Sequence, residues 1–211
     1  MRVYRRLLLS TVLLAFAFGC KKKEGAASGG DDARNTGASG DIVIGHYASM
    51  TGSTAHFGQD TDKAVRLAVD QVNQGGGIDG RKLKVVTLDT RGDSAEAANA
   101  VSRLIDVEKA VAVVGEVASS LSLAGGRVAQ RQQVPMVSPS STNPKVTQVG
   151  DFIFRVCFLD PFQGKVMATF ARNNLRMDRV AILKDVKNDY SIGLADAFRS
   201  AFTAQGGKIV V

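Results

Sequence analysis

The sequence predicts an α/β fold in which a parallel sheet is flanked by helices. Three observations predict it. From residue 41 onward, short apolar runs alternate with longer segments that carry an apolar stripe at helical spacing. Strands alternating with helices imply βαβ units, whose right-handed crossovers build a parallel sheet. The apolar runs are continuous rather than alternating, as in residues 111–114, which is the pattern of strands buried on both faces. The third observation is the stretch 111–144, which reads as strand, small-polar turn, helix, strand and small-polar turn.

The elements follow in order. Residues 42–47 read as a strand, 51–58 as a small-residue turn, and 59–74 as a helix with Ala64, Leu67, Ala68 and Val72 on one face. The glycine-rich stretch 75–80 ends that helix. Residues 83–89 are a strand, and 94–108 a helix whose apolar face is Ala98, Val101, Leu104 and Ile105. After the strand at 111–114, Ser119 and Ser120 stand in N-cap position for a helix carrying Leu121, Leu123 and Val128. Residues 134–137 form the next strand, and 138–144 the turn after it. Strand 152–158, helix 160–175, strand 180–184, helix 190–205 and a strand beginning within 206–211 complete the pattern.

The first forty residues stand apart. Arg2, Arg5 and Arg6 precede an apolar run to Gly19, with Cys20 next. A basic segment, a short apolar core and a small residue before the cleavage point describe a signal peptide over residues 1–19. Cys20 after Ala17-Phe18-Gly19 resembles the lipobox of bacterial lipoproteins, although Ala17 replaces the usual leucine and Phe18 is bulky. That resemblance implies lipidation at Cys20 and a membrane-anchored flexible linker over residues 20–40, which are rich in Lys, Gly, Ala, Ser and Asp. A plain cleaved signal with an incidental cysteine is the other reading.

The net charge of +7 comes largely from this leader. Residues 1–40 hold seven Lys/Arg and three Asp/Glu, leaving 20 against 17 and a net of +3 for the rest. Neither the charge nor any aromatic-interleaved basic patch points to nucleic acid. Cys157 is the one cysteine after Cys20, so the mature chain has no internal disulfide, and Cys157 is expected as a small buried residue. His46, at a strand end, and His56, in a loop, are too few for a metal site. No phosphate-cradling glycine loop, no dinucleotide fingerprint and no Gly-x-Ser-x-Gly elbow occurs, and neither histidine has an evident triad partner. Catalysis and a cofactor are therefore not expected.

What remains is a candidate half-site. In an open parallel sheet the turns after 111–114 and 134–137 emerge at the carboxyl ends of their strands, where such folds bind ligands. A helix N-terminus there offers free N–H groups and a positive dipole end to a carboxylate. Ser119 and Thr142 add hydroxyls, which suits a small zwitterion or acid. Ser119 as a simple helix cap, and 138–142 as simple turn chemistry, are the plainer readings of the same residues. Glu116 lies just after a strand, where it faces either the cleft or, as the commoner case, solvent.

Several segments together resemble the leucine/isoleucine/valine-binding family of periplasmic receptors, which have the type I solute-binding fold. They are Ile42-Val-Ile-Gly45 with Met50-Thr-Gly52; Gly76-Gly-Ile-Asp-Gly-Arg-Lys-Leu83; Asp89; Val114-Gly-Glu-Val-Ala-Ser-Ser120; Val134-Pro-Met-Val-Ser-Pro-Ser-Ser-Thr-Asn-Pro144; Phe154-Arg-Val156 with Asp160 and Gln163-Gly164; and Asp189-Tyr-Ser-Ile-Gly-Leu194. Each alone is a weak signal; their order and spacing across residues 41–211 make the resemblance specific. It implies two α/β lobes around a cleft, with lobe one at 41–155 and the start of a truncated lobe two at 156–211.

The resemblance also implies roles. Ser119 matches the serine that binds a ligand α-carboxylate through hydroxyl and backbone N–H. Thr142 matches the threonine that contacts carboxylate and α-ammonium. Ser140 holds the position whose carbonyl takes the ammonium, and Ser141 lines the same turn. Tyr190 matches a cleft tyrosine of lobe two, and Phe57 an aromatic that covers the ligand side chain. Surface packing for Tyr190 and a place in the lobe-one core for Phe57 stay open. The implied protein is a substrate-binding lipoprotein of the cell envelope, which hands a branched-chain or related amino acid to an ABC permease. A sensor of the same fold for an amino acid, amide or urea-like ligand is the alternative, as is a non-functional truncated copy.

Overall fold

A computed structural model describes residues 40–210. The chain enters strand β1 (Ile42–Ala48), then helix α1 (Ala55–Gln74), strand β2 (Leu83–Asp89), helix α2 (Ser94–Asp106) and strand β3 (Ala112–Val114). Helix α3 (Ser119–Arg131), strand β4 (Met136–Ser138), a 3-10 turn (Pro144–Val149) and strand β5 (Ile153–Arg155) follow. These five strands form one parallel sheet in the order β2-β1-β3-β4-β5. The chain moves outward from β1 to β2 and then returns to add β3 on the other side. The loops leaving β1 and β3 therefore part from each other and open a crevice at the carboxyl edge of the sheet.

Beyond β5 the chain forms helix α4 (Asp160–Thr169), a π-type turn (Phe170–Asn174), strand β6 (Arg179–Val180), helix α5 (Asp189–Ala204) and strand β7 (Lys208–Ile209). β6 and β7 pair in parallel as a separate two-stranded sheet. Helices α4 and α5 cross closely; a Cβ at Gly164 would lie 2.6 Å from the Phe198 nitrogen. Among the described residues no helix is long and apolar enough to cross a membrane.

The main core lies on one face of the five-stranded sheet. Tyr47, Val113, Met136 and Ile153 from the strands meet Ala97, Val101 and Leu104 from α2 and Leu121, Val128 and Ala129 from α3. The continuous apolar runs are explained by this layer together with the opposite face, where α1 packs. The strands β3 to β5 are shorter than the runs that announced them, because pairing stops where a neighbour ends. Leu183, within the predicted strand 180–184, is fully exposed, and β6 keeps only Arg179 and Val180.

Helix α1 departs from expectation in two ways. It begins at Ala55, so His56 is helical and not in a loop. Its predicted apolar face is also turned outward: Ala64, Leu67, Ala68 and Val72 are exposed, while Gly58, Asp62, Val65, Val69 and Asn73 face the sheet. Polar anchors decide this. Asp62 accepts from Thr87 Oγ1 at 2.5 Å and from Arg66 Nε at 2.7 Å. Asn73 pairs with the backbone of Leu83 in both directions, at 2.7 and 2.8 Å. A buried acid and a half-buried amide left unpaired would cost more than an exposed leucine, which surfaces tolerate. His46 is fully buried on this face of β1, its Nδ1 3.2 Å from the Val114 carbonyl oxygen.

Candidate functional site

A cavity of about 380 Å³ opens at the carboxyl edge of the sheet. The β1–α1 connection gives it Ser49 and Thr54, and the first turn of α1 Phe57 and Gly58; the β3–α3 connection gives Glu116 to Ala118, and the start of α3 Ser119; the turn after β4 gives Ser140 and Thr142. The facing wall is Phe158, Gln163, Asn188 and Tyr190. Helix α1 can start this close only because of Gly58, where a Cβ would lie 2.1 Å from the Ser49 carbonyl oxygen.

The floor is tied by Glu116. One carboxylate oxygen accepts from Ser49 Oγ and Thr90 Oγ1, both at 2.7 Å, and the other from the Val117 N–H at 2.8 Å. Its carbonyl oxygen accepts from Ser122 Oγ, Ser138 Oγ and Ser141 Oγ. Loops from four strands thus converge on one residue, which is 2% exposed and not solvent-facing as the sequence suggested. Asp89 does similar work at the rim, accepting from the Met50 and Arg91 N–H groups and from Thr51 Oγ1 at 2.6 Å. Burial alone would raise its pKa, but these hydrogen bonds outweigh it and hold the carboxyl below the usual carboxylate range.

Helices α1, α3 and α4 begin without a side-chain cap, and the first turns of α1 and α3 border this cavity. Asp93 caps α2 and Asn188 caps α5 with side-chain oxygens. Helix α3 has Ala118 at its N-cap and no side-chain cap. Its first-turn N–H groups are left for another acceptor, at the positive end of the helix. Ser119 is therefore the first helical residue and not the cap. Its Oγ accepts from the Asn143 N–H at 3.3 Å, which leaves the hydroxyl proton to be donated. Thr142 lies beside it with its Oγ1 donating to Asp160 Oδ1 at 2.6 Å. Burial pushes the Asp160 carboxyl up, with the Thr142 bond and Arg155 offsetting part of the shift.

This geometry, an open sheet with an uncapped helix end at its switch point, sits in a sequence with clear relatives. Residues 41–211 match the family described as periplasmic binding protein. The chain belongs to the periplasmic binding protein family. An amino acid binding protein of Pseudomonas aeruginosa is 36% identical over 178 residues, covering 84% of this chain and 47% of that one. A Leu/Ile/Val-binding protein homolog of Brucella melitensis is 34% identical over 167 residues, covering 79% and 45%. The crystal structure of a leucine binding protein from Thermotoga maritima superposes with a TM-score of 0.76 at 44% identity, over 80% of this chain and 47% of that one. The branched-chain amino acid transporter substrate binding protein of Streptococcus pneumoniae, solved with isoleucine, gives 0.75 at 36%, over 81% and 48%. The chain spans about half the length of the curated relatives it matches, and its fold is the type I fold of these receptors.

In this periplasmic binding protein chain, five of the six expected ligand residues, Phe57, Ser119, Ser140, Thr142 and Tyr190, border this cavity. Phe57 is half exposed there and is not core; Tyr190 is exposed, with Gln163 donating to its hydroxyl at 3.3 Å. Ser141, expected with them, is turned away: it is buried, and its Oγ lies 2.7 Å from Ser122 Oγ and 3.0 Å from the Val117 carbonyl oxygen. Neighbours in a turn point to opposite sides, and Ser141 takes the inner one. Cys157 is half-buried rather than buried. Cys20 lies outside the described residues, as do the signal and most of the linker. Asp160 and the structural role of Glu116 were not anticipated. An acid directly before a proline that opens a helix was the available signal for Asp160.

Proposed function

We propose that this chain forms part of a substrate-binding protein of an ABC importer, which takes a branched-chain or related amino acid between two lobes and catalyses nothing. In this reading residues 1–19 are a signal peptide, Cys20 carries the lipid anchor, and the domain hangs from a membrane in the cell envelope on the 20–40 linker. The single observation that carries the reading is the uncapped N-terminus of α3 with Ser119 beside Thr142 in an aromatic-walled cavity. A carboxylate suits rigid backbone donors and a hydroxyl; an ammonium suits the Ser140 carbonyl and the Thr142 hydroxyl; an aliphatic side chain suits Phe57, Phe158 and Tyr190. The relatives' names supply the ligand class. Closing of lobe two over the ligand is the hinge motion that would signal loading to a permease.

The test is calorimetry on the full-length protein with L-leucine, L-isoleucine and L-valine. Ser119→Ala combined with Thr142→Ala weakens binding by roughly 1.5–3 kcal/mol for each lost charge-assisted hydrogen bond. Unchanged affinity in the double variant removes the site assignment.

A further inference from the structure

The sequence pattern gives Thr142 to the ligand but gives no role to the acid behind it. Asp160 is 1% exposed at the first turn of α4. It is bound to Thr142 twice: its N–H donates to the Thr142 carbonyl at 3.0 Å, and its Oδ1 accepts the Thr142 hydroxyl proton at 2.6 Å. Its other oxygen, Oδ2, is buried and has no hydrogen-bond partner among the described residues. That oxygen lies against α5 where a Cβ on Gly193 would come within 2.8 Å of it, so the carboxyl is held in place by packing. With one oxygen unpartnered, the Thr142 hydroxyl is its strongest donor. A bond of this length to a carboxylate falls in the charge-assisted range.

A hydroxyl has one proton and two lone pairs. Once the Thr142 proton is committed to Asp160, the oxygen can only accept from the cavity side. Ser119 is the complement: its oxygen accepts from Asn143, and its proton is free. Two hydroxyls that look alike in sequence therefore offer the ligand opposite polarities.

Resting on the amino-acid reading above, we propose that Asp160 is a positioning residue that fixes the Thr142 hydroxyl as an acceptor, so that the cleft discriminates in favour of ligands with an ammonium beside the carboxylate. Asp160 need not touch the ligand to do this. It acts from the start of α4, so that the second part of the chain sets the chemistry of a hydroxyl in the first.

The experiment compares L-leucine with 4-methylpentanoate, which is leucine without its ammonium, by calorimetry on the full-length protein. The readout is the ratio of the two affinities. Asp160→Ala removes the acceptor and frees the Thr142 hydroxyl to turn, and the ratio falls by about tenfold, the loss of one charge-assisted contact. In a Thr142→Val background the same Asp160→Ala change leaves the ratio unaltered. Equal weakening of both ligands, with the ratio kept, means that Asp160 only supports the fold and overturns the proposal. A ratio that still falls in the Thr142→Val background overturns it too, because the effect then bypasses Thr142. Binding of neither ligand by the parent protein instead removes the amino-acid reading, and this inference with it.

Discussion

The five-stranded and two-stranded parts are built with the same βα alternation and, over the described residues, differ in how far their strands pair and how many side chains they bury. In the first, β1 and β2 pair over seven residues and fourteen buried apolar residues form one cluster. In the second, β6 and β7 pair over two, and the buried cluster is Ala168, Ala171 and Phe202. Phe158, Phe162, Val166, Met167, Phe170 and Leu175 there are exposed. Yet each part supplies one wall of the cavity. The comparison teaches that the hydroxyl and backbone donors of the cavity sit on the five-stranded side, whereas its aromatic walls come from both, Phe57 from the first part and Phe158 and Tyr190 from the second. The two are linked by few polar contacts: Asn143 Nδ2 donates to the Asp189 carbonyl at 2.7 Å, the Asp189 N–H to Ser120 Oγ at 2.9 Å, and Thr142 to Asp160.

The largest expected effects probe the two cores. Leu104→Ala empties a site at the centre of the first cluster and lowers global stability by about 2–5 kcal/mol in urea unfolding. Phe202→Ala removes the centre of the second cluster, stacked on Phe198 at 5.4 Å. Its effect appears as lost hydrogen-exchange protection confined to α4, α5 and β7, with β1–β3 keeping theirs. Equal loss of protection in both parts would erase the distinction drawn between them.

A middle-sized effect separates two acids by sign. Asp89, in the first part, has a lowered folded pKa. Its contribution to stability is complete above the ordinary carboxylate value of about 4 and is lost as pH falls through the lower folded value. Asp160, at the start of the second part, has a raised folded pKa. The folded state holds its proton the more tightly, so stability declines as pH rises from about 4 through that raised value. In urea midpoints followed against pH, Asp89→Asn loses stability at neutral pH, while Asp160→Asn removes the decline and folds normally there.

The sequence made the alternation legible because buried parallel strands are plain apolar runs; the strands over 83–89 and at β1 need no neighbour to be read. The face of α1 was not legible. Two helical stripes compete along it, and the choice rests on Asp62 and Asn73 reaching groups on β2. At the cavity, Ser119 and Thr142 stood out as hydroxyls at strand-end turns. Ser141 could not be told from Ser140, since which side of the turn each faces is set by Val117 and Ser122, far off in sequence. The sequence leaves open which way Glu116 faces for the same reason: its partners Ser49 and Thr90, which hold it buried at the cavity floor, come from two other loops.

The smallest effect checks that face of α1. Leu67→Gln, on the outward stripe, changes stability by no more than about 0.5 kcal/mol. Val69→Gln, on the inward stripe, costs about 1–3 kcal/mol because its amide loses water without gaining a partner. The reverse ranking would restore the stripe first read from the sequence.

The most direct measurement is a crystal structure of the full-length protein with L-leucine. The account predicts the carboxylate against the first turn of α3 at Ser119, the ammonium on the Thr142 Oγ1 and Ser140 carbonyl oxygen, and the side chain toward Phe57 and Tyr190. A ligand bound the other way round, or away from the N-terminus of α3, would contradict it.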